Sequence, residues 1–306
     1  MAARDAFVAA QQRLLARFDV DATSRFVHVP VVDGPAHVLT SGTGPPVVLV
    51  PGFADPAVMW TPLVARLQGF TAIAVDRPCF GLSGCARHET ATIRRLAVDY
   101  LDQVLDALGI ERALIVANSL GSLWSIWFAL DRPDRVAAMV HVGCPALALG
   151  TSAPLPMRLI GTPIGRLLLA LMPPSAAQVE RFARDIGGED LSQLPELRDV
   201  LVEAQRLPGA LPAMRELLRA LVSPRGARPA VALTADQLSA LRPPTLFVWG
   251  TEDVFGGPAV ARDAARLVPG ARLVMIPGGG HVPWIGHTDA VAAATVPFLR
   301  AQVPAA

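Results

Sequence analysis

The sequence predicts an α/β protein with a mostly parallel central β-sheet, helices on both faces of that sheet and an inserted helical cap. Short β-rich apolar runs alternate with helical patterns along most of the 306 residues, which is typical of a parallel sheet covered by helices. A hydrophobic content of 52% with only 17% charged residues is enough for a large core. The alternation stops between about residues 145 and 244, where only helical patterns interrupted by proline and glycine occur.

The elements before this break follow one another regularly. The predicted strands are Phe26 to Val32 and Ala36 to Thr40, an antiparallel pair turned at Asp33-Gly34, then Pro46 to Val50, Thr71 to Val75, Ala113 to Val116 and Val136 to Val142. A helix is predicted from Ile93 to Leu108, because Leu96, Val104 and Leu108 form an apolar stripe. Gly109 favours the end of that helix.

The break divides the chain into a core domain, residues 1–144 and 245–306, and a helical cap, residues 145–244. After the cap we expect a strand from Thr245 to Trp249, a helix from Pro258 to Leu267, a strand from Arg272 to Ile276 and a final helix from Asp289 to Ala301. A long helical segment that leaves a sheet and returns to it is expected to cover one edge of the sheet as a lid.

The charge pattern narrows the class of partner. Net charge is +1, with both signs spread along the chain, so neither a nucleic acid groove nor a polybasic membrane patch is expected. The sequence contains no lysine, which excludes Schiff-base enzymes, Ser/Lys hydrolases and the P-loop lysine. We therefore expect a hydrophobic small-molecule substrate and no nucleic acid. No cofactor or metal is implied, and the oligomeric state is left open.

Cysteine usage and the N-terminal segment indicate the compartment. Cys79, Cys85 and Cys144 are odd in number and lack metal-ligand spacing, which favours free thiols in a reducing compartment. The segment from Met1 to Phe18 mixes charged and apolar residues at helical spacing and lacks the apolar core of a signal peptide. No stretch is long and apolar enough to span a bilayer. These observations predict a soluble cytoplasmic protein.

The candidate nucleophile lies in the stretch Ala117-Asn118-Ser119-Leu120-Gly121, between a strand-like run and an apolar helical pattern. A serine on such a sharp strand-to-helix turn tolerates only small residues two positions to either side. Ala117 and Gly121 meet this requirement. The turn is weakly specific by itself, so the assignment of Ser119 depends on the rest of the site.

A serine hydroxyl needs a histidine base to become a nucleophile near neutral pH. His281 follows the last predicted strand through Gly278-Gly279-Gly280, a loop able to turn a side chain back over the sheet. His141 lies inside a predicted strand, where a packed histidine is expected. The remaining candidates are weaker because His28 and His37 lie in the leading hairpin and His88 in a polar loop.

The base needs a carboxylate partner, and Asp253 is the candidate because it lies just past the carboxyl end of a predicted buried strand. Open α/β sheets bind their ligands at that edge. Glu252 is its rival, and since adjacent loop side chains point apart, only one of the two is expected to reach His281. Three candidates at strand ends in the order Ser119, Asp253, His281 are far more specific than any one of them.

Acyl transfer also requires two donors for the oxyanion of the tetrahedral intermediate. The backbone N–H of Leu120, at the start of the helix after the turn, is one candidate. The other is the backbone N–H of Phe53, in the loop Pro51-Gly52-Phe53 after the first central strand, where Gly52 permits close approach of the backbone.

With these residues assembled, the chain resembles the α/β-hydrolase fold superfamily over about residues 26–300, apart from the lid. The resemblance is carried by Pro46 to Phe53, Asp76 to Gly84, the Ser119 turn, Trp249 to Asp253 and Gly280 to Pro283. It implies that Ser119 is the nucleophile, His281 the general base and then acid, Asp253 its orienting partner, and Phe53 and Leu120 the oxyanion hole.

Three positions depart from the usual pattern of the family. Pro51 stands where histidine is usual, Ala117 replaces the first glycine of the turn, and Cys79 replaces a glycine in the loop after Asp76. None of them removes a member of the triad. Asp76 ends an earlier strand and is interpreted as structural.

The serine excludes the relatives of this fold that attack with an aspartate, namely haloalkane dehalogenases and epoxide hydrolases. We expect hydrolysis of a carboxylic ester, lactone or thioester through an acyl-enzyme intermediate. One alternative is carbon–carbon bond hydrolysis of the meta-cleavage product type, which His281 to His287 with Trp284 resembles loosely. Another, of a different class, is a ligand receptor or pseudoenzyme.

The lid supplies the only indication of substrate, an apolar ceiling that could equally pack the lid onto the core. Its apolar residues are Leu155, Met157, Leu159, Ile160, Ile164, Leu167, Leu168, Leu169, Leu171 and Met172. No arginine can be assigned to an acidic group of a substrate. The candidates for such a role are Arg158, Arg166, Arg181 and Arg184.

Overall fold

The computed structural model describes residues 2–160, 162, 163, 165, 167 and 174–303. The strands within these residues are β1 (Ala22–Val27), β2 (Ala36–Ser41), β3 (Pro46–Val50), β4 (Thr71–Val75), β5 (Ala113–Asn118), β6 (Val136–Val142), β7 (Val222–Ser223), β8 (Gly226–Ala227), β9 (Thr245–Gly250) and β10 (Arg272–Ile276). Eight of them form one sheet in the order β1-β2-β4-β3-β5-β6-β9-β10.

The α-helices among the described residues surround this sheet. They are α1 (Ala2–Arg17), α2 (Thr61–Val64), α3 (Ile93–Ala107), α4 (Ser119–Asp131), α5 (Leu155–Ile160), α6 (Ala176–Phe182), α7 (Pro195–Arg206), α8 (Ala210–Leu221), α9 (Ala235–Ser239), α10 (Pro258–Leu267) and α11 (Thr288–Arg300). A π-helical turn, Ala183–Gly187, continues α6.

Strands β3, β4, β5, β6, β9 and β10 pair in parallel, and β2 joins them antiparallel to β4. Successive residues of a strand face opposite sides, so the buried apolar residues of the central strands form two separate cores. Val48 packs in one core with Trp124 of α4, while Leu49 packs in the other with Trp60. The predicted α/β class, with helices on both faces, is confirmed.

The carboxyl ends of the parallel strands lie at one edge of the sheet. The loops that carry Gly52, Ser119, Asp253 and His281 leave that edge after β3, β5, β9 and β10. The strand order therefore gathers residues that are far apart in sequence.

The leading antiparallel pair forms, but its first strand begins and ends earlier than predicted. β1 is Ala22–Val27 rather than Phe26 to Val32, and its residue Phe26 pairs with His37 of β2. β1 is an edge strand and most of its residues are exposed, so it lacks the apolar pattern by which the buried strands were recognised.

The described part of the chain between β6 and β9 is mainly helical. It also contains the two-residue strands β7 and β8, which pair with each other and which the sequence did not predict. The N-terminal helix packs against this segment, because Phe7 and Leu14 of α1 share a core with Leu197 of α7. Among the described residues, no helix is both long and apolar enough to cross a membrane.

Candidate active site

Ser119 lies at a strained turn between β5 and α4. Its φ angle is 50°, a left-handed value that is uncommon for a residue other than glycine. The helix that begins there packs closely on the loop after β3, because a Cβ atom on Gly121 would clash with the carbonyl oxygens of Val50 and Pro51. Ala117, on the other side of the turn, is completely buried. Close packing at both positions therefore explains why the residues two before and two after Ser119 are small.

His281 and Asp253 are in contact in the interior. Nδ1 of His281 lies 3.0 Å from Oδ1 and 2.9 Å from Oδ2 of Asp253, and the two residues are 6% and 4% exposed. Glu252, the rival in the sequence, is exposed. The structure thus brings His281 to Asp253 and leaves Glu252 outside the pair.

Asp253 is held in the charged form. Its carboxylate accepts the backbone N–H of Cys144 at 2.8 Å and that of Phe255 at 2.9 Å. Burial alone would raise the pKa of Asp253, but the charge of His281, the hydrogen bond from its ring and these two N–H groups lower the pKa below its usual value. An ionised carboxylate only accepts hydrogen bonds, so Nδ1 of His281 carries the proton.

The other ring nitrogen of His281 is left as an acceptor. Nε2 is buried and has no hydrogen-bond partner within the described residues. Phe255 packs on the imidazole, with ring centroids 4.1 Å apart, and fixes the plane of the ring. A histidine whose Nδ1 is tied to a carboxylate and whose Nε2 is free has the protonation that a general base requires.

Asn118, which sequence reasoning did not assign, connects the turn to the histidine loop. Its Nδ2 donates to the carbonyl oxygen of Val142 at 2.7 Å and to that of His281 at 3.0 Å. The side chain is 1% exposed. A polar residue at the end of an otherwise apolar buried strand was the signal that could have identified it.

The loop after β3 is fixed by a buried arginine. Arg77 donates through Nε to the carbonyl oxygen of Pro51 at 3.2 Å and through Nη2 to that of Gly52. Phe53 follows directly and is half-buried. Leu120 is the second residue of α4, so its N–H has no acceptor within the helix. These are the backbone groups expected to hold the oxyanion.

Two other polar residues considered for the site, Asp76 and His141, have surroundings that indicate a structural role. The buried carboxylate of Asp76 contacts Nδ1 of His37 at 2.6 Å and accepts the N–H of Ala57 at 2.6 Å and of Leu82 at 2.9 Å, in agreement with its structural interpretation. His141 is completely buried in β6, and burial lowers its pKa to about 3, so it is a packed neutral histidine as expected.

The segment that follows α6 contacts the histidine loop through its backbone. The N–H of His281 donates to the carbonyl oxygen of Gly187 at 2.7 Å. Glu189, two residues further along, is 5% exposed, and burial raises its pKa to about 7 although the N–H groups of Gly280 and Gly286 oppose the rise.

The lid residues named from the sequence are only partly described. Met157 is buried, whereas Leu155, Leu159 and Leu167 are among the exposed large hydrophobic residues. Arg158 donates to the carbonyl oxygen of Pro224. Six further residues named from the sequence in this segment lie outside the described residues, namely Ile164, Arg166, Leu168, Leu169, Leu171 and Met172.

The cysteines form no disulfide. No group of three His, Cys, Asp or Glu side chains in the described part of the chain could hold a metal ion.

Comparison with known proteins adds independent information. A sequence model described as the alpha/beta hydrolase family matches residues 47–294. The chain is 32% identical over 278 residues to a pimeloyl-(acyl-carrier protein) methyl ester esterase of Stenotrophomonas maltophilia, covering 88% of this chain and 98% of that protein. It is 30% identical over 289 residues to a 2-hydroxy-6-oxononadienedioate/2-hydroxy-6-oxononatrienedioate hydrolase of Cupriavidus pinatubonensis, covering 90% of this chain and 95% of that protein.

Solved structures share the fold. A carboxylesterase from Bacillus subtilis superposes with a TM-score of 0.77 over 99% of this chain and 100% of that chain, at 21% identity. At this identity the likeness concerns the fold alone, whereas the family match covers more than half of the chain. The relatives are named as esterases and hydrolases, and the superfamily resemblance is confirmed. The chain therefore belongs to the alpha/beta hydrolase family of enzymes.

Proposed function

We propose that the protein is a serine hydrolase that cleaves an ester-like bond of a hydrophobic small molecule through an acyl-enzyme intermediate. The observation that carries this proposal is the buried pair of His281 and Asp253, in which Nδ1 is held by the carboxylate and Nε2 is left without a partner among the described residues. The link from Asn118 to the histidine loop supports it, because it joins this pair to the turn that carries Ser119.

The proposed reaction follows from these groups. Oγ of Ser119 attacks the carbonyl carbon while Nε2 of His281 takes the hydroxyl proton, and the lowered pKa of Asp253 keeps the carboxylate ionised beside the imidazolium. The backbone N–H groups of Phe53 and Leu120 stabilise the oxyanion. His281 then gives the proton to the leaving alcohol or thiol, and a water activated in the same way releases the acid and regenerates Ser119.

The substrate class rests on the relatives and on composition. A relative 32% identical is named as a methyl ester esterase, and a net charge of +1 with 52% hydrophobic residues is compatible with a hydrophobic substrate. We therefore place a carboxylic ester first, with a lactone or thioester as chemically equivalent substrates.

Carbon–carbon bond hydrolysis is the second candidate. The observation that favours it is the 30% identity, over nearly the whole length of both chains, to a hydrolase named for an oxo-dienedioate. A panel of aryl and alkyl esters assayed beside a coloured ring-fission dienoate separates the two. Turnover of the dienoate alone would replace the first proposal with the second.

The decisive test is covalent labelling of the proposed nucleophile. A fluorophosphonate probe is expected to label Ser119, and an aryl ester is expected to give a burst of product that Ser119→Ala abolishes. Ser122→Ala is the matched control, because Ser122 is a buried serine in the same helix and its loss should leave labelling and burst intact. Labelling at another residue, or a burst that survives Ser119→Ala, would contradict the assignment.

A further inference from the structure

The side chain of Asn118 has one polar atom that its known contacts leave unsatisfied. Nδ2 donates to the carbonyl oxygens of Val142 and His281, and because carbonyl oxygens only accept, these bonds fix the orientation of the amide. Oδ1 is buried and has no hydrogen-bond partner within the described residues. An unpaired buried acceptor is costly, so a donor is expected next to it.

The carboxyl group of Asp55 lies at this place. A Cβ atom on Gly52 would be 2.8 Å from Oδ2 of Asp55 and 3.4 Å from Cβ of Ser119, and it would clash with Oδ1 of Asn118. Gly52 thus leaves open a small space around which the carboxyl, the amide oxygen and the serine are grouped. Two neighbouring oxygens that only accept hydrogen bonds repel each other, whereas a proton on one of them allows a hydrogen bond between them. An amide oxygen carries no proton, so the proton would have to be on the carboxyl group of Asp55.

The surroundings of Asp55 favour the protonated carboxyl. Asp55 is half-buried by solvent accessibility, and desolvation of its carboxyl raises the pKa to about 7, although the positive charges of Arg77 and His281 oppose the rise. Arg77 donates through Nε and Nη2 to the carbonyl oxygens of the loop, while its buried Nη1 has no hydrogen-bond partner among the described residues. His281 is paired with Asp253. Among the described residues Asp55 forms no ion pair.

We infer that Asp55 is a further positioning residue of the hydrolytic site, which acts as a neutral carboxylic acid and donates its proton to Oδ1 of Asn118. The inference rests on the proposed function. The hydrogen bond joins the loop that carries Phe53 to the turn that carries Ser119, and so sets the oxyanion donors relative to the nucleophile. A neutral group also avoids repulsion of the negative charge that develops on the substrate oxygen.

The proposal makes the activity sensitive to pH on the alkaline side. When Asp55 ionises, above about pH 7, the bond to Asn118 is lost and a negative charge stands beside the oxyanion loop. We expect kcat/KM of the wild-type enzyme to fall there. Asp55→Asn keeps a donor and cannot ionise, so it should remove this fall. Asp55→Ala removes the donor and should lower kcat about tenfold below pH 7, with little change in KM, and the difference from the wild type should shrink above that pH.

Two measurements test the inference. The first is the pH profile of aryl ester hydrolysis by the wild type, Asp55→Asn and Asp55→Ala. The second is the infrared carbonyl band of protonated carboxylic acids in the folded protein, in which the component that Asp55→Asn removes should disappear from the wild-type spectrum as pH is raised through about 7. Glu189→Gln is the matched control, because it removes the other carboxyl whose pKa is raised to about 7 and should leave the Asp55 component of the band.

The outcomes are distinct. Superimposable pH profiles of the wild type and Asp55→Asn, or an infrared band that Asp55→Asn does not change, would overturn the inference. Failure of the wild type to hydrolyse any ester, with no label on Ser119, would instead remove the proposed function. In that case the infrared band still decides whether Asp55 is protonated.

Discussion

Nδ2 of Asn118 donates a hydrogen bond of 3.0 Å to the backbone carbonyl oxygen of His281. The residue before the candidate nucleophile therefore holds the loop of the candidate base, across 163 positions of sequence. The same nitrogen binds the carbonyl oxygen of Val142 at the end of β6, so one side chain fixes three segments at the carboxyl edge of the sheet.

Asn118→Ala is expected to lower kcat about 10- to 100-fold, because the carbonyl of His281 loses its hydrogen bond and the loop of the candidate base is no longer joined to the turn that carries Ser119. Unpaired buried carbonyl groups should also reduce the free energy of unfolding by about 1–3 kcal/mol. Steady-state kinetics and urea unfolding measure the two effects. An unchanged kcat in a folded variant would show that Asn118 has no part in positioning the base.

Asp253→Asn should abolish most of the activity, whereas Glu252→Gln should have little effect. Asparagine at position 253 no longer stabilises the imidazolium and can favour the wrong tautomer of His281, which in a related constellation costs about 10⁴-fold in kcat. Glu252 is exposed and Asp253 is buried against the ring. The two variants are adjacent and isosteric with the wild type, so each controls for the other. Equal losses in both would contradict the assignment of the acid.

The positions of Ser119, Asp253 and His281 could be predicted because each follows a strongly apolar strand at the same edge of a parallel sheet. The roles of Asn118 and Asp55 could not, because they depend on which way a side chain points across segments far apart in sequence. The limits of β1 were also missed, since an exposed edge strand such as Ala22–Val27 carries no core pattern.

Gly52→Ala should reduce activity strongly, because its Cβ atom would clash with Oδ1 of Asn118 and crowd Cβ of Ser119 at 3.4 Å. Asn118 cannot move away without losing its bonds to Val142 and His281. We expect a loss of at least about tenfold in kcat/KM with a stability loss of about 1–3 kcal/mol. Gly257→Ala is the control, since a Cβ atom there meets nothing within 4 Å. Full activity of Gly52→Ala would contradict the close packing of this loop.

Ala117 occupies a completely buried position opposite Val50 of β3 and His141 of β6. Ala117→Gly should remain active and lose about 1 kcal/mol of stability, because only a methyl group and some backbone rigidity are lost. Ala117→Val should impair folding and activity together through overpacking. Thermal unfolding with an ester assay measures both. Loss of activity in a well-folded Ala117→Gly would mean that the methyl group has a role besides its size.

The raised pKa of Glu189 should make the free energy of unfolding depend on pH. Glu189 is 5% exposed and lies against Gly280 and Gly286 beside His281, and burial raises its pKa from the usual 4.5 to about 7. A carboxyl whose pKa is raised on folding binds its proton more tightly in the folded state, so its contribution is present below about pH 4.5 and is lost as pH rises through about 7. The contribution amounts to about 1–3 kcal/mol.

Glu189→Gln should therefore flatten the dependence of the urea midpoint on pH between about pH 4.5 and 7, relative to the wild type. Part of the slope should remain, because burial raises the pKa of Asp55 to about 7 as well. Glu252→Gln, which changes an exposed glutamate near the same loop, should leave the wild-type curve in place. If Glu189→Gln and Glu252→Gln gave the same curve as the wild type, the carboxyl of Glu189 would titrate alike in the folded and unfolded chain, and the cap would not be coupled to the histidine loop through its proton.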